Sequence, residues 1–113
     1  LGDVYKRQVL KPNTRAEAVL PFLDKCDIVL VMTVEPGYGG QAFIPETLDK
    51  IRALRSFAGD SIDIEVDGGI NGKTAPLVKE AGANVLVAGT GLFKAEDMAQ
   101  VNSLLKAPQK GQA

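Results

Sequence analysis

The 113-residue sequence has no histidine, a single cysteine, and nearly balanced charge. Lack of histidine excludes a Ser-His-Asp triad and any imidazole-ligated metal centre, so a metal would need carboxylates or ligands supplied from elsewhere. One cysteine excludes an internal disulfide framework. Cys26 falls at the end of a predicted helix, where a thiol serves as a small core filler. No apolar run approaches the roughly 18 residues of a membrane span. The longest, Ile28 to Met32, suits a buried strand. No secretory h-region is visible, so a reducing cytoplasm or organelle matrix is the expected compartment. With 13 basic and 14 acidic residues the formal charge is -1, which leaves no broad cationic face for nucleic acid. Neither GxGxxG nor GxxxxGK[ST] occurs, which argues against a nucleotide fold.

What is present is ordinary in composition and regular in pattern. Apolar residues make up 45% and charged residues 24%, as in a single modest globular domain. Gln8 to Lys11 reads as a strand end stopped by Pro12. Thr14 and Glu17 have the spacing of a capping box, predicting a helix from Thr14 with Val19, Leu20 and Leu23 inward and a bend at Pro21. Asp27 to Met32 is β-branched and nearly continuously apolar, predicting a strand covered on both faces. Pro45 opens another predicted helix, with Leu48, Ile51, Leu54 and Arg55 on its inner side and Lys50 and Arg52 facing solvent. A strand over 62–66, a helix over 74–81 capped by Gly82, a strand over 84–88 and a helix over 96–106 complete the pattern. Strands alternating with helices predict an α/β fold: four parallel strands joined by right-handed crossovers.

Chemistry concentrates at the predicted strand ends. In Ile64-Glu65-Val66-Asp67-Gly68-Gly69, alternation sends Ile64 and Val66 to one face and Glu65 and Asp67 to the other. A carboxylate at the tip of a buried strand is costly unless it binds metal, pairs or exchanges protons. Two glycines beside it let a ligand approach bare backbone. Glu65 reads as a polar residue lower on the same face, hydrogen-bonded there. Three glycine-rich loops follow strands: 36–41, 67–72 and 89–91. Exposed amides at strand-to-helix junctions can form nests for an oxyanion, and three on one rim point to anion binding. Lys11, at a strand end next to Pro12, reads equally well as a ligand contact at that rim or as a solvated strand-end lysine.

The segments Val31-Met32-Thr33-Val34-Glu35-Pro36-Gly37-Tyr38-Gly39-Gly40-Gln41, Ile64-Glu65-Val66-Asp67-Gly68-Gly69, and Ala81-Gly82-Ala83-Asn84 with Ala88-Gly89-Thr90 closely resemble the ribulose-phosphate 3-epimerase family. Leu10-Lys11-Pro12-Asn13-Thr14 fits the family's fifth strand and loop. The resemblance implies the C-terminal half, strands five to eight, of a (β/α)8 TIM barrel. A complete barrel averages about 250 residues. The implied activity interconverts D-ribulose 5-phosphate and D-xylulose 5-phosphate. Alternatives are an epimerase for a six-carbon ketose phosphate such as allulose 6-phosphate, or a non-catalytic phosphate-binding half barrel.

By the same resemblance, Asp67 matches an acid/base group that also ligates a divalent metal (zinc, iron, manganese or cobalt). Gly37, Tyr38, Gly39 and Gly40 match the loop over substrate. Gly68, Gly69, Gly89 and Thr90, with Asp67, match substrate and phosphate contacts, and Met32 matches the methionine lining the metal cavity. The family's second aspartate, metal-binding histidines and early serine belong to strands this chain lacks. Tyr38 stands where Phe is common, and Gly91 where Ala is common. Residues 1–8 do not resemble the family and read as an unrelated leader or cloning remnant. The half barrel is expected over 9–106, with a disordered tail over 107–113. The implied partner is a small sugar phosphate, with no nucleic acid and no membrane. Open sheet edges predict self-association or pairing with the missing N-terminal half. One proton donor cannot serve both faces and a lone carboxylate holds metal poorly, so this chain alone is expected to be inactive.

Overall fold

The computed structural model of the chain describes residues 6–34, 43–88 and 91–97. Strand β1 (Arg7–Leu10) leads through a 3-10 segment (Ala16–Lys25) to β2 (Ile28–Met32). Helix α1 (Thr47–Ala58) then precedes β3 (Asp63–Asp67), and α2 (Ala75–Ala81) precedes β4 (Val85–Ala88). A fifth strand, β5 (Gly91–Lys94), runs into a short 3-10 turn at Ala95–Asp97. The sheet order is β1-β2-β3-β4-β5; the first four strands are parallel, and β5 returns antiparallel along β4. No helix among the described residues is long and apolar enough to cross a membrane.

Strand parity divides the sheet into a packed face and an open one. Leu10, Val29, Val31, Ile64, Val66, Leu86 and Ala88 lie under the helices and are essentially inaccessible. They meet Ile51 and Leu54 of α1 and Ala75, Val78 and Ala81 of α2, residues at helical spacing, to form one core. Burying Ile51 and Leu54 contributes about 2 kcal/mol each. Truncating Ile51 to alanine would open a cavity at the centre of this layer. Residues of opposite parity form the open face: Ile28, Leu30 and Met32 are half-buried, and Val9 and Leu92 are 47% and 63% exposed. The apolar run in β2 is therefore helix-covered on one face rather than two.

Further expectations differ from the structure. Thr14 does not cap a helix: its amide donates to the Lys11 carbonyl (2.9 Å), and Arg15, extended, flanks the segment without a side-chain cap. The segment is 3-10, with Pro21 inside it. Proline has no N–H to give and crowds the carbonyl four residues back, so an α-helical ladder cannot run through it. Lys50 is half-buried rather than free in solvent. Its Nζ donates to the carbonyls of Lys11 (3.0 Å) and Pro12 (2.8 Å), bending the long side chain across to the loop after β1. Partial burial lowers the Lys50 pKa from 10.5. Residues 91–94 form a strand where a loop was expected. Of the helix predicted over 96–106, Glu96 and Asp97 lie in the 3-10 turn and the rest lies outside the described residues. β1 takes in Arg7 and Gln8, within the stretch set aside as a leader, since backbone pairing with Ile28 and Val29 needs no particular side chain.

Other expectations hold. Gly82 ends α2 at φ 127°, a left-handed cap that glycine alone adopts easily. Cys26 is buried at the end of its segment.

Candidate active site at the strand ends

The parallel register gathers the C-terminal strand ends at one edge. Met32 lies beside Asp67, and Asp67 beside Val87, so all three side chains share the open face. Glu65 lies one pleat below Asp67, as alternation predicts. It is 5% exposed, and the guanidinium Nη2 of Arg7 donates to its Oε1 at 3.3 Å. A carboxylate so buried needs such a partner. Asp67 is different: it is exposed, and its side chain makes no hydrogen bond or ion pair with another described residue. It therefore stands on the open face, unengaged by any other described side chain.

The backbone that carries Asp67 is tightly held. The amide of Thr33 donates to the Asp67 carbonyl at 3.0 Å, and its hydroxyl donates to the same oxygen at 3.1 Å and to the Gly68 carbonyl. The carbonyl of Thr33 accepts from the Ile44 amide at 2.7 Å. Thr33 is fully buried. Sequence reading gave it no role of its own. The signal was available: a lone hydroxyl continues the buried parity of Val29 and Val31.

The chain then turns through Gly68 and Gly69, at φ 118° and 70°. A Cβ on Gly68 would lie 2.6 Å from Val34 Cγ2, and one on Gly69 would lie 3.0 Å from the Phe43 backbone. Both positions therefore require glycine, for conformation and for space. Asn71 begins the next turn. Its Oδ1 accepts from the amides of Lys73 (2.8 Å) and Thr74 (3.0 Å), and the Thr74 hydroxyl donates to the Gly69 carbonyl (2.7 Å). The loop from Asp67 into α2 is thus fixed by side chains at both ends.

Asp67, Gly68, Gly69 and Met32 are brought together. Gly37, Tyr38, Gly39, Gly40, Gly89 and Thr90 lie outside the described residues. Lys11 is exposed at the end of β1, its carbonyl occupied by Lys50 and Thr14. No three histidine, cysteine or acidic side chains among the described residues cluster so as to hold a metal. One exposed carboxylate beside a thioether does not by itself fit a divalent cation.

The opposite end of the strands carries a cleft lined by Arg55, Asp60, Asp63, Lys79, Asn84 and Glu96, among others. Three of its polar residues, Arg55, Asn84 and Asp63, form one hydrogen-bonded network. Arg55 donates to the carbonyls of Gly82 (2.9 Å), Gly59 (2.7 Å) and Ile62 (2.9 Å) and to Asn84 Oδ1 (3.1 Å). Asn84 Oδ1 also accepts from the Ile64 amide (2.7 Å), while its Nδ2 donates to Asp63 (2.8 Å).

Comparison with known proteins points to one family. A family model described as the ribulose-phosphate 3 epimerase family matches residues 4–93. The ribulose-phosphate 3-epimerase of Schizosaccharomyces pombe is 50% identical over 105 residues, which cover 88% of this chain and 46% of that protein. A Rhodobacter capsulatus protein of the same name is 52% identical over 86 residues, covering 75% of this chain and 37% of its own length. The cytoplasmic isoform from Oryza sativa subsp. japonica is 46% identical over 105 residues, covering 90% and 46%. The chain spans about half the length of these relatives or less. With its parallel-rich sheet, its strand-end carboxylate and a match across residues 4–93, this chain belongs to the ribulose-phosphate 3-epimerase family.

Proposed function

We propose that this chain is the C-terminal half of a (β/α)8 barrel that epimerises ribulose 5-phosphate at carbon 3, with Asp67 as one of two proton-transfer groups. The observation that carries the reading is Asp67 itself. It is a solvent-facing carboxylate on a rigidly held strand tip, in register with Met32 and next to two obligatory glycines. Inverting a carbon beside a carbonyl needs a proton taken from one face and returned to the other, hence two acid/base groups flanking the carbon. Asp67 would take or return the proton on its side at a carboxylate oxygen. The second group would come from the remaining half of the barrel, which would cover Val9, Leu30, Val87 and Leu92 on the open face. Gly68, Gly69, Gly89 and Thr90 would hold the substrate's phosphate end, and residues 37–40 would lie over it. A divalent cation would take Asp67 as one ligand and its other ligands from outside this chain. The substrate is a soluble sugar phosphate, which suits the cytoplasm or an organelle matrix.

The test is turnover of ribulose 5-phosphate, with a divalent metal present. The chain alone should show none. Mixed with the N-terminal half of the Schizosaccharomyces pombe relative it should show turnover, and Asp67→Asn should remove it. Turnover that survives Asp67→Asn would overturn the assignment.

A further inference from the structure

We propose that Thr33 is the positioning residue for the acidic rim of β3, setting through its hydroxyl the peptide planes on both sides of Gly68 and so the direction in which Asp67 is presented. The inference rests on the reading of Asp67 as a proton-transfer group. Two donors from Thr33, its amide and its hydroxyl, converge on the Asp67 carbonyl, and the hydroxyl reaches the Gly68 carbonyl as well. Fixing those two carbonyls fixes the backbone torsions that follow Asp67 and Gly68. Only the two side-chain torsions of Asp67 are then left to place its carboxylate.

The neighbouring residue adds a second constraint. Val34 packs so closely on Gly68 that a Cβ there would meet its Cγ2 at 2.6 Å and its amide nitrogen at 3.0 Å. The end of β2 therefore moulds the turn by hydrogen bonding at one residue and by steric contact at the next. Such control matters because misplacing a catalytic group by about 1 Å can cost on the order of a hundredfold in rate. The hydroxyl is not required for burial at this place. Valine fills the same volume, and Val29 and Val31 on the same face are equally inaccessible. A hydroxyl there is explained by the two carbonyls it serves.

Thr47 supplies a control. It is also buried, and its hydroxyl donates to the Ile44 carbonyl at 2.6 Å; Ile44 in turn donates its amide to the Thr33 carbonyl, so Thr47 touches the rim turn only through Thr33 and reaches neither the Asp67 nor the Gly68 carbonyl. The experiment compares Thr33→Val, Thr33→Ser and Thr47→Val in the 113-residue chain by NMR. In Thr33→Val the carbonyl carbons of Asp67 and Gly68 should move upfield, and the backbone amide at position 33 should exchange about fivefold faster, as for loss of one hydrogen bond. Thr33→Ser should restore both readings, and Thr47→Val should leave both carbonyls in place. Unmoved carbonyls in Thr33→Val, equal movement in Thr47→Val, or failure of Thr33→Ser to restore them would overturn the proposal.

Should Thr33→Val not fold, the unmodified chain decides. A slowly exchanging Thr33 hydroxyl proton close to the Gly68 α-protons supports the proposal, and its absence refutes it. These readings are independent of turnover. Loss of the Asp67 assignment in the epimerase assay would therefore be told apart from loss of the Thr33 contact.

Discussion

The two ends of the parallel strands use polar residues in opposite ways. At the N-terminal end, Arg55, Asn84 and Asp63 spend their hydrogen-bonding capacity on one another and on the carbonyls of Gly59, Ile62 and Gly82. These contacts tie the ends of α1 and α2 to the start of β3. At the C-terminal end the backbone is satisfied by Thr33, while the Asp67 carboxylate is left facing solvent. A polar group fully committed to its neighbours stabilises a fold and is closed to a ligand. One whose backbone is held and whose side chain is left unengaged contributes little stability and is available for chemistry. This division, stability below and chemistry above, is the one seen across β/α barrels.

Substitutions at the two ends can break or sharpen the contrast. The largest effect expected is on turnover. In a barrel completed by the N-terminal half, Asp67→Asn should lower the rate by about a thousandfold, within the usual range for a proton-transfer group. Its urea unfolding free energy should change by less than about 0.5 kcal/mol. A large loss of stability would show that Asp67 is held in place rather than presented. Arg55→Ala should do the reverse and cost about 3 kcal/mol in the same unfolding measurement. It removes charge-assisted hydrogen bonds and leaves three carbonyls without their donor. A loss below about 1 kcal/mol would mean that water replaces the guanidinium readily.

Gly68→Ala lies between these cases. Its Cβ would strike Val34 while forcing an L-residue to φ 118°, so a destabilisation of about 2 kcal/mol is expected. Comparison with Thr33→Val would show how much of the rim's rigidity is steric.

The smallest effect is at Lys50. Lys50→Met should cost under about 1 kcal/mol near neutrality, because the two carbonyls it serves lie near the surface. Its folded pKa lies below the unfolded 10.5, so in that interval the unfolded chain binds more protons and stability rises with pH. The wild-type chain should therefore gain on Lys50→Met as pH climbs towards 10.5, which parallel melts would reveal. A gap that narrows instead would mean that the ammonium is favoured by its two acceptors more than it is penalised by burial.

How far the site could be read in advance follows from the reach of each interaction. Alternation within five residues placed Glu65 and Asp67 on one face, and Glu65 is indeed low on it and hydrogen-bonded. The glycines after Asp67 read as room for a ligand against bare backbone; that Gly68 and Gly69 also adopt φ values other residues avoid emerges from the structure. The helix expected from Thr14 differs because the Thr and Glu spacing of a capping box says nothing of the ladder beyond it, where Pro21 does more than bend the segment: its missing N–H breaks the α-helical ladder. Lys50 was misread because helical spacing says which side a residue leaves from, not where a flexible four-carbon stem ends. The antiparallel β5 was missed because Gly89-Thr90-Gly91 signals a turn without saying what the chain does after it.

Periodicity, residue volume and torsional preference are properties of short stretches, so the order of the four parallel strands with α1 and α2 between them, the parity of the acidic tip and the glycine requirement were set by the sequence itself. The contact of Thr33 with Asp67 and Gly68, the pairing of Arg7 with Glu65 and the Arg55 hub join residues 20 to 58 positions apart, or cross between packed elements. Their existence depends on sheet register and helix docking. A one-residue slip of β2 against β3 would turn the Thr33 hydroxyl to the open face and leave the rim carbonyls unserved. The assembled sheet alone decided that Asp67 would be held firmly by its backbone and left unengaged at its side chain.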